Sequence, residues 1–101
     1  MSDWPTAPAA RQLTMRVPAA VRDALLRQGG NLSALVMAAV VGLTQPEVYR
    51  LAGWARHQGS ATAALKLYVP VAVGVWVPPQ QNLTQWLRAA AIVASGVDTT
   101  V

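Results

Sequence analysis

The sequence contains no cysteine, one histidine and only four acidic residues in 101. Without cysteine there is no disulfide framework and no thiolate metal site, so redox chemistry does not constrain the compartment. Asp3, Asp23, Glu47 and Asp98 are scattered, with neither paired carboxylates nor metal-ligand spacing about His57. No glycine-rich phosphate loop follows a strand pattern. These gaps argue against an enzyme and against any metal or cofactor. His57 reads instead as a helix C-terminal residue favoured by the dipole. Long hydrophobic runs are lacking too: residues 67–79 and 83–97 are too short or too interrupted to span about 30 Å of hydrocarbon, so no membrane partner is expected. Residues 1–10 (MSDWPTAPAA) hold an acid and two prolines but no apolar centre, which predicts no signal peptide and a cytoplasmic protein.

Hydrophobic residues make up 53% of the chain against 12% charged, a balance that excludes a disordered, solvating segment. Eight Lys/Arg against the four acids give a net charge of +4, which favours a polyanionic partner, although many small proteins are as basic. The length suits one small domain.

Residues 12–43 organise the rest. Leu13, Met15 and Val17 alternate with Gln12, Thr14 and Arg16, which is strand periodicity with three apolar groups on one face and three polar groups on the other. Pro18 ends the ladder and suits a first helical turn. Val21, Ala24, Leu25 and Gln28 follow at helical spacing, and Gly29-Gly30 stops that helix. Asn31 and Ser33 are N-cap residue types, and residues 32–43 predict a second, nearly all-apolar helix. Residues 44–47 (TQPE) read as a capping box opening a third helix over about 45–58, with Val48, Leu51, Ala52 and Ala55 on its apolar stripe and Arg50 and Arg56 solvated.

A second copy follows. LKLYVP at 65–70 lies over LTMRVP at 13–18, Asn82-Leu83-Thr84 over Asn31-Leu32-Ser33, and Ala89-Ala90 over Ala38-Ala39. Ala and Val are abundant enough to inflate any identity count. The matches that matter are therefore the strand-Pro and Asn-Leu-Ser/Thr joints, and the chain reads as two units in tandem. Residues 71–77 (VAVGVWV) fit least well. Their position in the repeat favours a short helix, whereas valines at 71, 73, 75 and 77 have the period of a strand.

One short strand and two helices in about thirty residues resemble the Arc/MetJ-type ribbon-helix-helix DNA-binding proteins. The resemblance implies a mainly α fold with a short two-stranded antiparallel ribbon, the two units forming a pseudo-dimer within one chain. The expected organisation is an arm at 1–11, unit one at 12–43, a connecting helix and linker at 44–63, a degenerate unit two at 64–97 and a tail at 98–101. A lone unit is too small to be stable, so pairing is also a physical expectation.

In that family the ribbon enters the major groove of double-stranded DNA. The positions that contact bases there fall on Gln12, Thr14 and Arg16 in unit one and on Lys66 and Tyr68 in unit two. Arg16 or Lys66 suits guanine, Gln12 suits adenine and Thr14 a thymine methyl. An ordinary solvated strand face is the plainer alternative. Phosphate contacts are expected from Arg11 and from the starts of the second helices, at Asn31 and Ser33 and at Asn82 and Thr84 with Arg88 a turn on; Ser33 and Thr84 are the expected caps. Capping without any phosphate is the alternative there. Trp54, Trp76 and Trp86 fit core anchors better than a base-stacking platform. The implied function is a sequence-specific repressor, one that can regulate its own gene and is encoded on a plasmid or other mobile element, with self-association of pseudo-dimers along DNA. Two other readings stand: an accessory protein of a plasmid transfer origin, and a protein-interaction or antitoxin-like adaptor gripping its partner through residues 71–77.

Overall fold

A computed structural model describes residues 11–58, 62–69, 77 and 82–99. Its centre is a pair of strands from opposite halves of the chain, β1 (Arg11–Pro18) and β2 (Thr62–Val69), joined antiparallel. The alternation expected from the sequence is realised on both. Met15, Val17, Leu65, Leu67 and Val69 are buried and Leu13 is half-buried, while Gln12, Thr14, Arg16, Ala64, Lys66 and Tyr68 are exposed. A two-stranded ribbon is marginal on its own, so this one depends on the helices that cover its apolar face.

The register carries more information than the pairing itself. Thr14 lies opposite Lys66, the residue the repeat places over it, and Leu13 opposite Leu67 mirrors Met15 opposite Leu65. The two strands are thus related by an approximate two-fold axis through the Thr14–Lys66 pair. The pairing also reaches two residues beyond the expected second unit, back to Thr62, and Arg11 belongs to the ribbon as the partner of Val69.

Helix α1 (Ala19–Gln28) starts directly after the strand. Pro18 is its N-cap, one residue before the first turn, with no side chain capping it. Val21, Ala24 and Leu25 enter the core, and the helix closes on Gly29, whose N–H bonds Leu26 O at 3.2 Å. Gly29 and Gly30 have φ of 74° and 77°, values that side-chain-bearing residues seldom adopt. Helix α2 (Leu32–Val40) is shorter than the sequence suggests: Leu43 N–H turns back to Val40 O, and Leu43 packs against the core instead of extending the helix. Helix α3 (Gln45–Arg56) has Pro46 in its first turn, but the expected capping box does not form. Thr44 makes no side-chain cap bond, and Glu47 bonds Arg50 at 2.7 Å. An arginine one turn ahead outcompetes a backbone N–H for the carboxylate, because both of its ends are charged.

Helix α4 (Leu83–Ser95) is the hub, in contact with α1, α2, α3 and β1. Trp86, Leu87, Ala89, Ala90, Ala91 and Ile92 are all buried. The small residues let neighbouring backbones come close, and Leu87 and Ile92 fill the space with Val36, Met37 and Val40 of α2. It ends on Gly96 at φ 75°. The helix-or-strand question for residues 71–76 lies outside the described residues. Val77 is within them and is buried in the core at 6% exposure, so it is not part of an open contact surface.

Candidate nucleic-acid interface

The outward face of the ribbon gathers, from two sequence-distant segments, the residues expected to meet bases. Gln12 stands opposite Tyr68, Thr14 opposite Lys66 and Arg16 opposite Ala64, all exposed. Among the described residues no carboxylate shares this face. Of the acids, Asp23 is on α1, Glu47 is on α3 and Asp98 follows α4, while Asp3 lies outside the described residues. Glu47 and Arg50 neutralise each other: their hydrogen bond holds the Glu47 carboxyl below its usual range and raises the Arg50 guanidinium. Among the described residues the positive charge on the ribbon face has no such partner.

Arg16 does not stand freely out of the ribbon. Its Nε donates to Thr62 Oγ1 at 2.9 Å and its Nη2 to Thr62 O at 3.1 Å, which lays the guanidinium along the strand toward the end of the ribbon. No sequence pattern points to Thr62 as its partner, because the contact joins residues 46 positions apart.

The helix starts are built differently from expectation. Asn31 and Asn82, not Ser33 and Thr84, are the N-caps, accepting from Ala34 N and Gln85 N at 3.2 Å each. Ser33 is buried at 4% exposure, and its hydroxyl accepts the Tyr68 N–H at 2.9 Å. That bond fastens α2 to the strand of the other half. On the other side Arg88 Nε donates to Arg16 O at 2.8 Å, fastening α4 to β1. Arg16 and Tyr68 occupy matching places in the repeat, so both ties land on the same position of opposite strands. The sequence offers two cap-competent residues in each Asn-Leu-Ser/Thr triplet, and in the first of them Ser33 is drawn inward by the Tyr68 N–H. Thr84 is half-buried, as is Arg88. Arg11 pairs with Val69 through its backbone, and its side chain lies outside the described residues.

Trp54 and Trp86 are in the core, at 8% and 3% exposure, which removes them as a stacking platform; Trp76 lies outside the described residues. Among the described residues no three His, Cys, Asp or Glu side chains are grouped to hold a metal ion, and no helix is long and apolar enough to cross a membrane. No protein-family model, curated protein or solved structure matches the chain.

Proposed function

We propose that the chain is a sequence-specific double-stranded DNA-binding protein, a tandem ribbon-helix-helix pseudo-dimer that lays its ribbon in the major groove. Within that class it is read as a transcriptional repressor, which acts by occupying a promoter. The observation that carries this reading is the intrachain ribbon, whose register is symmetric about Thr14 and Lys66 and whose exposed face is polar, basic and, among the described residues, free of acids. The crosswise ties of α2 and α4 to opposite strands support it, since they are what two interlocked units would make.

A two-stranded ribbon fits a groove about 12 Å wide, and Lys66, Gln12 and Thr14 supply a guanine donor, a bidentate adenine partner and a methyl contact. Tyr68 and Arg16 flank them. Because Gln12-Thr14-Arg16 face Tyr68-Lys66-Ala64, the two halves of the target differ, and the operator is asymmetric even though the protein is nearly two-fold. The buried Val77 weighs against an adaptor that grips its partner through residues 71–77.

The test is selection of bound fragments from the source genome, followed by footprinting, with footprint length reporting any association of neighbouring copies. Protection upstream of the chain's own gene supports the repressor; protection beside a nick site assigns the same ribbon to a transfer origin. On the selected site, Lys66→Ala should cost about 1–3 kcal/mol and relax preference at one base pair. Failure to retain any duplex at low salt would overturn the DNA reading.

A further inference from the structure

At one end of the ribbon, β1, α3, β2 and α4 enclose an open groove of about 270 Å³. Three arginines line it, each from a different element: Arg16 from β1, Arg56 from α3 and Arg88 from α4, with Thr62 and Gln85 between them. None of the described acids is in its wall. We propose that this groove seats a backbone phosphodiester of the bound nucleic acid. The proposal rests on the DNA-binding reading and adds to it an anchor contributed by the connecting helix.

Two of the guanidiniums are fixed in place by neutral acceptors, so they are oriented without being neutralised. Arg16 is held by Thr62, and Arg88 by Arg16 O. A guanidinium has five N–H donors. Arg16 commits two of them to Thr62, which leaves donors for a further acceptor. Arg56 makes no hydrogen bond or ion pair among the described residues; its Nη2 lies over Gly53, 3.9 Å from where a side chain there would begin. Three arginines lining one space, with no carboxylate among the described lining residues, offer the planar donor forks that suit phosphate oxygens. Like charges gathered this way repel until an anion joins them. The seat has no repeat-related twin at these positions, because Tyr68 stands over Arg16 and the fully buried Met37 over Arg88. Arg16 is thereby assigned to holding the DNA backbone, and reading of bases falls to Gln12, Thr14 and Lys66.

The experiment uses the full chain and follows arginine Nε–H signals by NMR as inorganic phosphate is added. Arg16, Arg56 and Arg88 are expected to shift together on one saturating curve, while Arg22 and Arg27 on α1 stay still. Uniform small shifts at all arginines, or none at the three, would overturn the seat whether or not the protein binds DNA. In the second arm Arg56→Gln is compared with Arg27→Gln, which removes the same charge elsewhere. Arg56→Gln should weaken selected and random duplexes by the same factor, about tenfold, and lower the salt slope by about 1; Arg27→Gln should change binding much less. Loss confined to the selected duplex would overturn the phosphate assignment. If the wild-type chain binds phosphate at the three arginines but no duplex at all, the nucleic-acid source falls together with the DNA reading, and the seat remains as an inorganic-phosphate site.

Discussion

The register of the ribbon sets which residues share its exposed face, and a double-mutant cycle measures it. Leu67 is fully buried opposite the half-buried Leu13, whereas Leu65 lies opposite Met15. Truncating a buried leucine to alanine costs about 2–5 kcal/mol, so Leu67→Ala should fall in that range and Leu13→Ala near the bottom of it or below. Directly opposed side chains contribute about 0.2–1 kcal/mol to each other, and distant sites add to within about 0.5. The Leu13→Ala/Leu67→Ala cycle should therefore show a coupling near the top of that pairwise range, and the Leu13→Ala/Leu65→Ala cycle little beyond the additivity error. The double variant loses a large share of the roughly 5–15 kcal/mol typical of a small domain, so urea melts are best run in a stabilising osmolyte. A one-residue slip would turn the apolar face outward and is excluded by burial. A two-residue slip would keep the faces but bring Leu13 opposite Leu65. Stronger coupling to Leu65 than to Leu67 would move the symmetry off Thr14–Lys66 and refute the argument for interlocked units.

Further outcomes follow from single contacts. Ser33→Ala strips the Tyr68 N–H of its acceptor and should lower stability by about 1–3 kcal/mol in denaturant melts, although Ser33 lies off the exposed face of the ribbon. Gly29→Ala should be destabilising by about 1–3 kcal/mol because of its backbone angles, even though nothing lies within 4 Å of the added carbon. Gly42→Ala, which has equal room and no positive φ, should be neutral or slightly stabilising, and equal effects at the two sites would contradict the turn geometry. The lowered Glu47 carboxyl contributes a small stabilisation that is present above the ordinary value of 4.5 and is lost as pH falls through its folded value. Glu47→Gln should accordingly flatten the stability profile in that acid window and leave its shape unchanged near neutrality.

The parts of this molecule legible in the sequence are those with a period or a punctuation mark. Strand alternation at Leu13, Met15 and Val17 reads directly because side chains switch faces at every residue, and Gly29-Gly30 reads because few other residues hold such angles. The partner of β1 was legible only through the repeat, since no local signal says that residue 14 meets residue 66. Where two local solutions competed, the choice was made by tertiary contacts: Asn31 capped while Ser33 turned to Tyr68, and Glu47 left the cap for Arg50. The arginine groove was not legible at all. Arg56 looked like a solvated helix residue, and only the fold brings it beside Arg16 and Arg88.

Because β2 begins at Thr62, 44 positions after β1 ends at Pro18, synthesis makes the two halves of the ribbon at different times. At roughly 5–20 residues per second, β1 waits about 2–9 s for β2 to be made, with a bare strand edge and an uncovered greasy underside. On neighbouring ribosomes the obvious false partner is another nascent β1, since the axis through Thr14 makes that strand able to pair with its own copy. The tether works against this exchange. A tethered strand meets its partner at an effective concentration set by the connecting segment and independent of the amount of protein made. Pairing β1 with β2 of the same chain therefore replaces an encounter between molecules with a loop closure, whose cost does not depend on how much protein is made.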